Sequence, residues 1–103
     1  MTYRVLFTRQ AQNDLLGLFD YLAYRFSLKN AQRYLEQIEE ACNGLKTMPL
    51  RGADRSDLRP GLRTIGFRRR VTIAFRVNVD SVVILPLLYG GRSAETAFTN
   101  KAR

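Results

Sequence analysis

Tyr3, Val5 and Phe7 alternate with Thr2, Arg4 and Leu6 at the start of the chain, a period of two that predicts a short opening strand. Thr8 follows in N-cap position, its hydroxyl able to satisfy one of the amides that a helix's first turn leaves unpaired. From there Ala11, Leu15, Leu18, Phe19, Leu22 and Phe26 recur at steps of three and four. That spacing makes one apolar face of a helix roughly four to five turns long. Gly17 sits inside it at a cost of about 1 kcal/mol relative to alanine, which suggests a close approach by another helix. Ser27 can cap a second helix, with apolar positions at Leu28, Ala31, Leu35, Ile38, Cys42, Leu45 and Met48. Pro49 ends that run because it disfavours helical geometry at the residue before it. With so short a joint at Ser27, the two helices fold back as an antiparallel hairpin.

The period changes in the second half. Residues 49–61, with Gly52 and a Pro60-Gly61 turn, read as a linker. Arg63, Ile65 and Phe67 then alternate with Leu62, Thr64 and Gly66. Val71, Ile73, Phe75 and Val77 alternate with Arg70, Thr72, Ala74 and Arg76, the clearest strand pattern in the chain. A tight turn over residues 78–81 leads into Val82–Tyr89, apolar on both faces and therefore central in a sheet. Pro86 cannot donate to a ladder, so a bulge or an unpaired position is needed there. Gly90-Gly91 ends the sheet, and the last ten or so residues read as a short helix, with Ser93 as its cap, or as a loose tail. The fold class implied is α+β: one domain over 1–103, in two layers, a helical hairpin on a mostly antiparallel four-stranded sheet. One sheet face carries Val71, Ile73, Phe75 and Val77 onto the helices, and the other exposes Arg70 and Arg76.

Charge sharpens this picture. The first fifty residues hold six Lys/Arg against five Asp/Glu, and the remainder holds eleven against four. Between 51 and 76 stand eight arginines, no lysine, and only Asp54 and Asp57 as acids. An arginine field of this kind suits an acidic partner, because the guanidinium makes forked, bidentate contacts. One cysteine rules out an intrachain disulfide and a cysteine-based metal site, and Cys42 lies on the core stripe. No apolar run approaches a membrane span, and the N-terminus lacks a signal-peptide layout, so a cytoplasmic protein without membrane contact is expected.

The chain contains no histidine. That removes the commonest general base near neutral pH and the commonest metal ligand. No P-loop or dinucleotide-binding glycine motif occurs either, so neither cofactor nor metal is expected. An arginine-only ribonuclease stays open as an alternative, with Arg63 and Arg76 stabilising a phosphorane and Tyr89 donating a proton. Against it, arginine remains protonated at any working pH and makes a poor base, and no lysine stands between Lys46 and Lys101 to take that role.

Three stretches resemble the RelE/ParE superfamily of toxins from type II toxin–antitoxin systems. Residues 3–22 are similar to its opening strand and Leu-rich first helix. Asp57-Leu58-Arg59-Pro60-Gly61-Leu62-Arg63 resembles a loop typical of the ParE branch, and it is the most specific of the three. Residues 73–77 with 83–92 resemble its last two strands and their Gly-Arg exit. Two departures stand out: Tyr89 where the family often has histidine, and Pro86 where a polar or basic residue is common. The resemblance implies a toxin that inhibits DNA gyrase by protein–protein binding. It also implies a hetero-oligomer with a ParD-like antitoxin carrying a flexible, acidic segment, and no direct sequence-specific nucleic-acid binding. The RelE branch, which cuts messenger RNA on the ribosome, supplies one alternative, and a fold relative that has lost toxicity and only binds its partner supplies another. Partner contacts are expected from Arg59, Arg63, Arg69, Arg70, Arg76, Tyr89 and Arg92.

Overall fold

Thr8 is the joint on which the N-terminal half turns. The computed structural model describes residues 2–90 and 92–99, and in it Arg4–Phe7 form strand β1. The Thr8 N–H and hydroxyl both donate to the Ile84 carbonyl, at 3.1 and 2.9 Å. Its Oγ1 also accepts the Ala11 N–H at 3.1 Å and so caps helix α1, Arg9–Arg25. Ser27 does the same for helix α2, Leu28–Asn43, accepting the Asn30 N–H at 3.1 Å. Helix α2 stops short of the full apolar stripe. After Asn43 the chain tightens into one 3-10 turn, Gly44–Lys46, which leaves Leu45 buried and Met48 59% exposed. Phe26 departs from helical geometry, at φ −126° and ψ −82°, and so leaves the α1 stripe. With Leu28 it flanks the bend, and both are largely exposed.

The sheet has five strands where the pattern predicts four. Its order is β1-β5-β4-β3-β2, with β3 at Leu62–Phe67, β4 at Val71–Val77 and β5 at Ser81–Leu88. Strand β1 runs parallel to β5 and the other pairs are antiparallel. The added strand, β2, is Ala53–Asp54 in the expected linker, paired with Thr64 and Arg63. Two residues are too few to show an alternation. The outer edge of β1 is occupied at both ends: the Tyr3 N–H donates to the Lys46 carbonyl at 2.9 Å, and Gln12 Nε2 donates to the Phe7 carbonyl at 3.2 Å. Those contacts blunt it against strand addition.

Pro86 sits in a bulge. Ile73 pairs with Leu87 and Phe75 with Ile84, so Leu85 and Pro86 together oppose Ala74. The bulge takes the Leu87 N–H out of the ladder, and Asp14 Oδ2 of α1 accepts it at 3.0 Å. A carboxylate from the helical layer thus supplies what the proline displaced.

The core lies between the hairpin and the sheet. Ala11, Leu18, Ile38, Cys42 and Leu45 meet Val71, Ile73, Phe75, Val82, Ile84 and Leu87, with Val77 at the margin. Burying a side chain the size of Phe75 or Ile84 is worth about 1.5–3 kcal/mol. Arg76 is exposed on the opposite sheet face, as the alternation predicts, but Arg70 is not in the strand. The opposite face is less bare than expected. Leu62, Ala74 and Leu88 are buried outside the main cluster, as is Ala94 of the short helix α3, Ala94–Thr99. Ser93 caps that helix through the Thr96 N–H at 3.2 Å. The expected glycine exit at Gly91 and the tail from 100 to 103 lie outside the described residues. No helix among the described residues is long and apolar enough to cross a membrane.

Candidate functional site

The hairpin between β3 and β4 has unusual residues at its tip. The Arg70 N–H closes a turn onto the Phe67 carbonyl at 3.2 Å, and the two central residues, Arg68 and Arg69, have φ of 53° and 63°. Turns of this primed kind normally use Asn-Gly, because a Cβ is disfavoured at positive φ. Two arginines held there cost of order 1–3 kcal/mol each. Arg68 offsets part of that cost by packing: its guanidinium lies 5.7 Å from the Tyr34 ring and 5.5 Å from the Phe67 ring, and it hydrogen-bonds Gln37. Tyr34 in turn meets Phe67 edge to face, with centroids 5.3 Å apart. The turn is thereby fastened to α2.

Fastened this way, the turn closes one end of a cleft of about 580 Å³ between the hairpin and the sheet. Gly17, Leu18 and Tyr21 of α1 form one wall and Tyr34 of α2 another. The sheet side brings Arg69, Arg70, Val71 and Tyr89, with Gly90 at the mouth. Among the described residues, no carboxylate lines it. Gly17 lacks a side chain where one would crowd the site, since a Cβ there would come within 3.0 Å of the Tyr89 hydroxyl. Burial pushes the Tyr89 phenol above its usual range; the nearby Asp14 carboxylate adds to the shift and Arg92 opposes it. Tyr89 therefore stays protonated near neutral pH, as a hydrogen-bond donor rather than a base.

The seven residues expected to meet a partner divide by position. Arg69, Arg70 and Tyr89 share the cleft. Arg59 and Arg92 line a smaller cavity of about 260 Å³ with Pro86 and Phe98, and the Arg59 guanidinium lies 4.8 Å from the Phe98 ring. Arg63 is turned inward on the chain: its Nη2 donates to the Leu50 carbonyl at 2.6 Å and its Nε to that of Arg51 at 3.3 Å, pinning the segment before β2. Arg76 stands apart, exposed on the far face of β4. Tyr89 follows Leu88, which pairs with Thr72, whereas Arg76 pairs with Val83. At about 3.3 Å per residue, Tyr89 and Arg76 are separated by more than roughly 13 Å. The structure does not bring Tyr89, Arg63 and Arg76 together.

Several contributors to the cleft lie outside that expected set. Tyr21 and Gly17 are four residues apart on one helix face, a spacing visible in the sequence. Tyr34 and Arg68 carry no sequence signal, because the sheet brings them together. Arg55 is a further fixture, forking onto Asp57 at 2.9 and 3.0 Å and reaching Glu95 of α3 at 3.2 Å. Among the described residues no group of His, Cys, Asp and Glu is placed to hold a metal ion.

Residues 5–94 match the family described as ParE toxin of type II toxin–antitoxin system, parDE. Toxin ParE3 of Caulobacter vibrioides is 39% identical over 87 residues, covering 84% of this chain and 86% of that protein. Among solved structures, the chromosomal ParDE toxin–antitoxin system from P. aeruginosa superposes with a TM-score of 0.75 at 26% identity, covering 85% of this chain and 96% of that one. The RelBE2 toxin–antitoxin complex from Mycobacterium tuberculosis gives 0.61 at 23% identity, over 87% and 100%, a likeness of fold.

Proposed function

The chain belongs to the ParE toxin family of type II toxin–antitoxin systems, and from that premise we propose that it arrests growth by binding DNA gyrase and is neutralised by a ParD-like antitoxin with an acidic segment. The action is binding, without bond making. What supports this most is the state of the cleft: two arginines and a protonated tyrosine face solvent across an apolar floor, and the nearby Asp14 carboxylate is engaged by the Leu87 N–H. The groups a ribonuclease would need are dispersed, with Arg63 engaged by backbone carbonyls and Arg76 on the other face of the sheet. The similar P. aeruginosa protein belongs to a ParDE toxin–antitoxin system, which supports a hetero-oligomer with an antitoxin here.

The test expresses the chain alone and together with its antitoxin, then assays the purified protein for inhibition of gyrase supercoiling and for ribosome-dependent cleavage of messenger RNA. Growth arrest relieved by the antitoxin, with supercoiling inhibited and messenger RNA intact, is the expected result. Cleavage of messenger RNA with supercoiling untouched would replace the gyrase reading with a ribonuclease.

A further inference from the structure

We propose that the cavity between the Pro86 bulge and α3 binds a small phosphomonoester, whose phosphate bridges the guanidinium groups of Arg59 and Arg92. Two arginines that the sequence marks out separately, one in the Leu58–Arg63 loop and one after the glycine pair that ends the sheet, meet at this cavity of about 260 Å³. It shares no lining residue with the Tyr89 cleft. The acids of the same loop and of α3, Asp57 and Glu95, are taken up by Arg55 at 2.9 and 3.2 Å. Among the described residues, the Arg92 side chain makes no hydrogen bond or ion pair, and no carboxylate lines the cavity. The Arg59 guanidinium lies 4.8 Å from the Phe98 ring, which holds the cation in place without consuming its N–H donors as a carboxylate would. Gln10 adds a neutral amide.

The walls set the size and charge of the occupant. Clefts for drug-sized ligands hold about 300–1,000 Å³, so this one takes something smaller. Leu85 and Pro86 are consecutive and in a regular strand would face opposite sides of the sheet. The bulge brings both to this cavity and gives it an apolar wall, on which the carbon part of an ester can lie. Two guanidinium groups without an acid favour an anion with more than one charge. A phosphomonoester carries about −1.5 to −2 near neutral pH on three acceptor oxygens, where a carboxylate or a phosphodiester carries one charge. A nucleic-acid strand spreads its single charges along a track and would ask for cations in a row.

The experiment titrates the full chain with phenyl phosphate at constant ionic strength, following the heat of binding and, separately, thermal melting. Arg59→Ala and Arg92→Ala are each expected to raise the dissociation constant about tenfold or more, and Arg92→Lys, which keeps the charge and loses the fork, by a smaller factor. Arg33→Ala removes the same charge beside a different cavity and is expected to bind within about threefold of the parent. Phenyl phosphate should raise the melting temperature of the parent and of Arg33→Ala, and not that of Arg92→Ala. Because the second proton of a phosphomonoester leaves near pH 6, binding should tighten about fivefold or more between roughly pH 5 and 7.5. The chain has no histidine, and Asp57 and Glu95 are held below the usual carboxylate range, so neither they nor an imidazole titrate in that window. Phenyl sulfate, of the same shape and one charge, should bind about tenfold more weakly and without that pH dependence. No saturable binding by the parent at millimolar phenyl phosphate overturns the inference. So does a folded Arg92→Ala that binds within threefold of the parent, or phenyl sulfate that binds as well as phenyl phosphate. If an oligonucleotide without a terminal phosphate displaces phenyl phosphate from the parent, the class of occupant is wrong.

Discussion

Gly17 and Tyr89 should behave as a coupled pair, and the coupling can be worked out from one distance. Gly17 lies in the middle of α1, where glycine costs about 0.8–1 kcal/mol against alanine. An alanine Cβ there would stand 3.0 Å from the Tyr89 hydroxyl, tighter than nine in ten real contacts, so the ring must retreat by a few tenths of an ångström. Tyr89 is partly buried against the core, and pushing it off its rotamer costs about 0.5–1.5 kcal/mol. The two effects nearly cancel, so Gly17→Ala alone should leave stability within about 0.5 kcal/mol of the parent. Tyr89→Phe removes the crowded oxygen and keeps the ring. In that background Gly17→Ala should give the full helical gain, about 0.8–1 kcal/mol, which for a chain of this size raises the melting temperature by roughly 4–8 °C. Urea denaturation and thermal melts of the four proteins complete the cycle. Two single effects that add to within about 0.3 kcal/mol of the double variant would refute the contact.

Other outcomes follow from the same structure. Asp14→Ala deprives the Leu87 N–H of its acceptor at the bulge and should cost about 1–3 kcal/mol, read as a lower urea midpoint with an unchanged slope. The Cys42 thiol, pushed up to about 12 by burial and by Glu39, should resist alkylation at pH 8 until the protein unfolds; rapid labelling of the native state would contradict its placement. Asp57 is held below the usual carboxylate range by its hydrogen bonds from Arg55, and Glu95 by a backbone hydrogen bond and then by Arg55. Depressed carboxylates stabilise above their unfolded pKa and lose that contribution as pH falls through the folded one, so the protection of α3 amides, taken relative to their intrinsic exchange rates, should fall as the pH drops through the acidic range and hold at alkaline pH.

Local chemistry made part of this fold readable. The hydroxyls of Thr8 and Ser27 cap the helices that follow them, and the alternation over Val71–Val77 sorts the core face of β4, because each depends on neighbours within a few residues. Pro86 announced an irregularity, although nothing near it named Asp14, 72 residues earlier, as the acceptor that makes the bulge tolerable. The arginines show the limit most clearly. In the sequence Arg63 and Arg69 are equivalent members of one charge run. Folding turns Arg63 onto carbonyls from Leu50 and Arg51, and leaves Arg69 beside three tyrosines. The cleft was hidden for the same reason: its walls come from α1, α2 and the end of the sheet, and no periodicity reports a juxtaposition. Helix α2 ended earlier than its stripe because the 3-10 turn at Gly44–Lys46 continues the apolar spacing without continuing the helix.

The central claim, that this chain acts by binding, is tested most directly by dose–response curves of gyrase supercoiling for the parent and for Tyr89→Phe, run beside ribosome-dependent cleavage of messenger RNA. A binding toxin keeps its plateau of inhibition when the hydroxyl is removed; a weakened interface only moves the midpoint, and more protein restores the effect. Full inhibition by Tyr89→Phe at saturation is expected, with a midpoint within about tenfold of the parent and intact messenger RNA throughout. A folded Tyr89→Phe that has lost toxicity at every concentration, with a parent that cleaves messenger RNA and leaves supercoiling untouched, would contradict it, because a missing transition-state interaction lowers the rate per molecule and cannot be rescued by adding more protein.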